Sequence, residues 1–135
     1  MDLSKAMMIS AAGMKVQGTR MRIIAENIAN ASSVATGPGQ DPYRRKVVTF
    51  TNELDRAVGV TRVKIKNVAF DKSDFGLRYE PGHPAADANG YIKTPNLNGL
   101  VEAMDMKQSQ RSYEANLNSV EVAKNMMMRT VDLLR

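Results

Sequence analysis

Residues 99–135 read GLVEAMDMKQSQRSYEANLNSVEVAKNMMMRTVDLLR, with no Gly or Pro after Gly99. Apolar side chains recur every seven residues along it, at Met106, Tyr113, Val120, Met127 and Leu134. A second row with the same spacing holds Ala103, Gln110, Leu117, Lys124 and Val131. This repeat is typical of a helix that meets another helix along its whole length. We therefore predict one long C-terminal helix, with Asn98 as its N-cap.

Residues 1–31 carry a similar stripe. One row holds Met7, Met14, Met21 and Ile28. The neighbouring row holds Leu3, Ile24 and Ala31, with Ser10 and Gln17 as polar interruptions. Either Asp2 or Ser4 can cap the start of a helix here. Because no other stretch is comparable, we predict that the two terminal helices pair with each other, in either a parallel or an antiparallel arrangement.

Residues 32–98 separate the two stripes and contain turn-forming and β-forming residues. Val47–Thr51 and Val63–Lys66 are predicted strands, and Tyr91–Lys93 is a short extended segment after the turn dipeptide Asn89-Gly90. Residues 70–79 show no period and are predicted to be irregular. The predicted fold is α+β. Its segments are an N-terminal helix over 1–31, a small β-rich insert with loops over 32–98, and a C-terminal helix over 99–135. The two helices form one coiled-coil-like α layer.

Composition excludes several functional classes. The 135 residues include no Cys and one His, so disulfide and thiolate chemistry are excluded and a catalytic triad would rest on His83 alone. No nucleophile, base and oxyanion donors can be assembled, so we expect no enzyme activity, no cofactor and no metal site. No apolar run is long enough to span a membrane, and the start does not read as a secretory signal. We expect a cytosolic protein or one exported by another route.

Two polar groups are candidates for contacts between subunits. Arg44 and Arg45 lie in a basic run that could bind phosphate, face solvent, or face acidic residues of a neighbouring subunit. Asn27 and Asn30 lie off the heptad row, and they either form hydrogen bonds between subunits or end the helix.

The stripes favour a protein that assembles through its ends. The predicted seam and assembly residues are Met7, Met14, Met21, Ile24, Ile28, Met106, Tyr113, Leu117, Val120, Met127, Val131 and Leu134. Two alternatives stay open. The first helix could lie on a membrane surface. The net charge of +5 could also serve a weak nucleic-acid-binding module, although the charge is spread along the chain instead of concentrated.

Several stretches resemble the flagellar basal-body rod protein family. ISAAGMKVQGTRMRIIAENIANA (9–31) is similar to the N-terminal hallmark of that family, and DPYRRKVVTF (41–50) continues the match. HPAADANGYIKTPNLN (83–98) and RSYEANLNSVEVAKNMM (111–127) resemble the proximal-rod subunits in particular. Residues 55–80 add little to the likeness.

The resemblance implies a structural subunit that stacks helically into a hollow rod through the bacterial periplasm and is required for motility. It implies export by the flagellar type III system without a cleaved signal. The implied partners are further copies of the chain, other rod and basal-body proteins, and the export gate. Nucleic acid, metal and direct membrane insertion are not implied. Export substrates of this family carry a Phe followed four residues later by an apolar residue, and Phe50 with Leu54 fits that spacing. Alternatively, Phe50 is only a core residue of a strand.

Overall fold

The computed structural model describes residues 2–135. Its elements in chain order are α1 (Leu3–Ala29), β1 (Lys46–Asp55), β2 (Val60–Phe70), β3 (Gly76–Tyr79), β4 (Tyr91–Thr94) and α2 (Gly99–Leu133). The predicted α+β class is confirmed, since two long terminal helices flank a small antiparallel β insert.

Capping side chains set the helix boundaries. The Asp2 carboxylate accepts a hydrogen bond from the Ser4 N–H at 3.0 Å, and Asn98 accepts from the Leu100 N–H at 2.9 Å. Each cap satisfies one of the N–H groups that the first turn of a helix leaves without a partner. At the end of α1, the backbone N–H and the side-chain amide of Asn30 both donate to the Glu26 carbonyl. Helix α1 therefore ends at Asn30, a residue type suited to ending a helix.

The two helices pair in an antiparallel arrangement. Asn27 near the end of α1 bonds to Glu102 near the start of α2, while Gly13 lies against Asn116 further along. On another face, α1 contacts the β1–β2 hairpin, which runs along the helix from Lys46, beside Asn27, to the turn before Val60. The first helix is thus the central element of the molecule.

The insert consists of two separate two-stranded antiparallel sheets, β1–β2 and β3–β4. The β1–β2 register shifts between Thr49 and Phe50, which is a β-bulge. The predicted irregularity of residues 70–79 is wrong for Phe70, which ends β2, and for Gly76–Tyr79, which forms β3. Pairing with β4 creates this short strand, and the rings of Tyr79 and Tyr91 lie edge to face with their centroids 5.2 Å apart.

The apolar interior is small. The buried apolar side chains among residues 2–135 are Val16, Ile23, Ile24, Ala35, Pro42, Val60, Ile92, Pro95 and Ala123. Small cores provide little stability to a domain on their own. Polar contacts between elements therefore determine much of how the helices and strands are arranged.

Candidate assembly site

The seam between the helices is lined by small and polar side chains. Along α2, the heptad row that meets α1 is Glu102, Ser109, Asn116 and Ala123. A Cβ atom on Gly13 would lie 2.8 Å from the carboxamide of Asn116, so the two backbones approach closely there. Heptad spacing is thus preserved, but the row at the centre of the seam differs from the predicted apolar rows.

Near the end of α1, a polar junction joins the seam to the hairpin. It is formed by Asn27, Tyr43, Arg45, Lys46 and Glu102. At its centre is Asn27, of which 1% is exposed. Its Nδ2 donates to the Lys46 carbonyl at 2.9 Å and to Glu102 Oε2 at 3.1 Å. Its Oδ1 accepts from the Tyr43 hydroxyl at 2.8 Å and from the Lys46 N–H at 3.0 Å. Every hydrogen-bonding position of this amide is therefore used inside the chain.

Glu102 is buried, and its charge is compensated by Arg45. The Nε of Arg45 donates to Glu102 Oε1, and its guanidinium lies 3.5 Å from Asp71 and 3.8 Å from Asp105. Burial alone would lower the pKa of Arg45, but the hydrogen bond to Glu102 and the charges of Glu102 and Asp71 raise it above its ordinary value. A charge pair away from water is stable only when such partners are present.

A second ion pair flanks the junction on its exposed side. Lys46 Nζ lies 2.9 Å from Glu26 Oε2. This hydrogen bond lowers the pKa of Glu26 and raises the pKa of Lys46, because it favours the charged form of each group. Burial raises the pKa of Tyr43, whose neutral hydroxyl donates to Asn27. These shifts keep Glu26 and Lys46 charged and Tyr43 neutral at neutral pH.

The loop before α2 is tied to the same junction. Asn96 accepts a hydrogen bond from the Arg45 N–H at 2.8 Å and donates to the Asp71 and Ser73 carbonyls. Arg44 donates to the same two carbonyls, and its guanidinium lies 4.1 Å from the centroid of the Phe75 ring. The Ser73 N–H in turn donates to the Asp71 carboxylate, which lowers the pKa of that group. Both predicted arginines are thus engaged within the chain.

The end of α2 projects beyond α1. Leu3, the first residue of α1, borders a cleft with Val122 and Met126, so the later residues of α2 extend past the start of α1. From Met126 to Leu133 this projection spans about 10 Å at 1.5 Å per residue. The exposed apolar side chains of the projecting end are Met126, Met127, Met128, Val131, Leu133 and Leu134. We call residues 126–134 the projecting end.

The predicted assembly residues separate into two groups by exposure. Those that are buried or half-buried are Met7, Met14, Met21, Ile24, Met106, Tyr113 and Val120. Those that are exposed are Ile28, Leu117, Met127, Val131 and Leu134. Leu117 and Val131 lie on the outward side of α2 and not in the seam, because α1 meets the row that contains Asn116 and Ala123. Their role in assembly remains a prediction.

The other predicted site residues lie in the junction or on the hairpin. Asn27 and Arg45 are central to the junction, whereas Asn30 bonds only to its own helix end and to Ser33. Phe50 is half-buried on β1. Leu54, near the end of the same strand, is 58% exposed. Contacts between any of these side chains and another subunit remain predictions.

Sequence reasoning misses the polar half of the site. Ser109 and Asn96 carry no obvious local signal, Tyr43 reads only as part of a basic run, and Glu102 reads only as a favourable charge at the start of a helix. A usable signal is nevertheless present, since Glu102, Ser109, Asn116 and Ala123 repeat at seven-residue spacing. The apolar rows beside this polar row are the stronger pattern and mask it.

Two kinds of feature are not found among the described residues. Within residues 2–135, no cluster of three metal-ligating side chains is positioned to hold a metal ion. Neither long helix, over the same residues, has the length and apolarity needed to cross a membrane.

Comparison with known proteins adds independent findings. The model of the family described as "Flagellar basal body rod FlgEFG protein C-terminal" matches residues 88–133. A protein named "Flagellar basal-body rod protein FlgC" from Agrobacterium fabrum is 51% identical over 98% of this chain and 96% of its own length. Proteins of the same name from Salmonella typhimurium and Bacillus subtilis are 40% and 31% identical, each over 93% of this chain and over 92% and 93% of their own lengths.

Proposed function

The chain belongs to the family of flagellar basal-body rod proteins FlgC, and from that membership we propose that it polymerises helically, through its terminal helices, into the rod that crosses the periplasm. It is a structural component of the flagellar basal body and not an enzyme. In this proposal α1 and α2 form the axial unit over 1–31 and 99–135, and the insert over 32–98 lies outside that unit. The rod transmits torque, so the protein is required for motility.

The observation that carries the proposal is the projecting end of α2. If the helix pair buried all of its apolar surface internally, α2 would not extend a row of exposed apolar residues past α1. Leu133 is 87% exposed and Leu134 is 83% exposed. Contiguous exposed apolar surface of this kind marks an interaction site. When one end of a subunit meets a different surface of the next copy, the contact repeats and produces a ring or a helical filament.

The decisive experiment alters the projecting end without disturbing the helix pair. The double variant Val131→Ser and Leu134→Ser removes two exposed apolar side chains, and the control variant Lys124→Ser changes an exposed polar residue on the same helix. In a strain that lacks the wild-type gene, we expect the double variant to give non-motile cells with truncated basal bodies and the control to restore swimming. Normal swimming by the double variant would contradict assembly through this end.

The proposal includes export by the flagellar type III system, with Phe50 and Leu54 docking on the export gate. The exposure of Leu54 supports a contact outside the chain, whereas half-buried Phe50 also fits a purely structural role. Leu54→Ala separates the two roles because its side chain contributes little to the core. We expect this variant to reduce secretion, and Phe70→Ala, an exposed apolar control on the partner strand, to leave secretion unchanged. Equal secretion of both variants would rule out docking at this site.

A further inference from the structure

The apolar contacts of the β1–β2 hairpin do not by themselves fix its orientation. Apart from Val60 at the start of β2, which is buried, its large apolar side chains that border α1, including Val47, Phe50 and Ile65, are only half-buried. Hydrophobic contact is also non-directional, so a hairpin can slide or rotate on a helix at little cost. Directional contacts must therefore set the angle between the hairpin and the helix pair.

The carboxamide of Asn27 supplies such a contact at the start of β1. It donates to the carbonyl of Lys46 and accepts from the N–H of the same residue, as a neighbouring strand would. Successive residues of a strand direct these groups to opposite sides. A slide of β1 by one residue would therefore direct the backbone groups away from Asn27. The amide selects one register of the strand against the helix.

The same amide also connects the strand to the second helix. Its Nδ2 reaches Glu102 on α2. Glu102 is joined in turn to Arg45, the residue immediately before β1. One side chain on α1 thus connects three elements, and no other residue type matches its geometry. Asp would place an acceptor where two donors are needed, and Gln is one methylene longer.

We propose that Asn27 is a positioning residue that holds the β1–β2 hairpin at one orientation to the helix pair, so that each subunit presents a single rigid surface. The proposal goes beyond assembly because it concerns one copy of the chain and is tested on that copy alone. A hairpin held in this way has less conformational freedom to lose when the subunit meets a neighbour.

The test measures hairpin orientation directly by electron–electron distance spectroscopy. Because the chain contains no Cys, two introduced cysteines carry the only spin labels. One pair, Arg56→Cys with Lys107→Cys, spans the hairpin turn and α2. The other pair, Ser4→Cys with Lys107→Cys, reports on the helix pair alone. All three positions are exposed.

In the wild-type background we expect a narrow distance distribution for both label pairs. Asn27→Asp and Asn27→Ala should each broaden or shift the 56–107 distribution while the 4–107 distribution stays unchanged. The matched control is Asn30→Asp, which makes the same charge change three residues further on, where the side chain bonds only locally. It should leave both distributions as they are.

Three outcomes would overturn the proposal. They are an unchanged 56–107 distribution in either Asn27 variant, an equal change in the Asn30 control, or a parallel change in both distances, which would show loss of the helix pair. Hydrogen exchange of the wild-type protein gives a test that does not depend on the folding of any variant. The Lys46 amide should exchange at least about tenfold more slowly than an exposed amide, as one well-formed hydrogen bond requires. Unprotected exchange there would also overturn the proposal.

Discussion

The close approach of the two helices at Gly13 can be tested by adding one methyl group. In an open helix, Gly→Ala stabilises by about 1 kcal/mol because it reduces the freedom of the unfolded backbone. A Cβ atom on Gly18, in the same helix, would have no neighbour within 4 Å, so Gly18→Ala should show this gain in full. At Gly13 the new Cβ would lie 2.8 Å from Asn116 and force its carboxamide to move.

That displacement has a calculable cost. The Asn116 amide donates to the Ser112 carbonyl at 2.8 Å, and losing this bond together with overpacking the seam costs about 2 kcal/mol. The gain in helix propensity of about 1 kcal/mol offsets part of this cost, so Gly13→Ala should destabilise the chain by about 1 kcal/mol in total. The two variants should therefore differ by about 2 kcal/mol, with opposite signs.

The assay is urea-induced unfolding of the two variants, followed by circular dichroism of the helices. A third protein, Gly13→Ala with Asn116→Ala, removes the obstructing carboxamide and should recover most of the loss, giving a coupling energy in a double-mutant cycle. If Gly13→Ala stabilised the chain as much as Gly18→Ala, the helices would not be in close contact at this point and the antiparallel seam would be refuted.

Three more predictions concern the junction and the small sheet. Glu102→Ala should lower the free energy of unfolding by about 2 kcal/mol because it leaves Arg45 without its main partner. The Arg45 side chain is 24% exposed, so water compensates part of the loss. In the same unfolding assay, the control Glu121→Ala on the exposed side of α2 should change the free energy of unfolding by no more than about 0.5 kcal/mol. The pKa of Asp71 is held below its ordinary 3.8, so its contribution to stability is complete above that pH and is lost as the pH falls through the lowered value. Asp71→Asn should therefore flatten the acid limb of a stability–pH curve, and an unchanged slope would contradict this. Gly90 has φ +82° and lies against Tyr79, so Gly90→Ala should weaken β3–β4 by more than about 1 kcal/mol, seen as loss of tyrosine near-ultraviolet signal, while Gly82→Ala should not.

The helices and the β1–β2 hairpin could be predicted from local signals. The heptad stripes predict two long helices, and the Asn98 cap is confirmed by its bond to Leu100. The strands predicted at 47–51 and 63–66 lie within longer observed strands. β3 could not be predicted because Gly76–Tyr79 has little strand character without its partner. Only the pairing with β4, fifteen residues later, makes it a strand.

The rotation of α2 about its own axis could not be predicted from hydrophobicity. The apolar rows that contain Met106 and Leu117 lie about 40° and about 100° around α2 from the seam row, both on the same side of it, and a search for the most apolar stripe selects them. The actual seam residues are polar or small because the backbones approach closely at Gly13 and because Glu102 meets a carboxamide. The bond between Asn27 and Glu102 joins residues 75 positions apart, which no local pattern indicates.

The distribution of apolar residues between seam and surface follows from what a rod subunit must do. A seam of small and polar groups fixes the register of the two helices through directional bonds, but it removes little apolar area from water. Larger apolar side chains such as Leu117, Val131 and Leu134 lie outside it, and they are 40%, 60% and 83% exposed. In the proposed assembly, a neighbouring subunit supplies the surface that buries them. Stability should then rise with subunit concentration by mass action, because association removes from water the surface that folding leaves exposed.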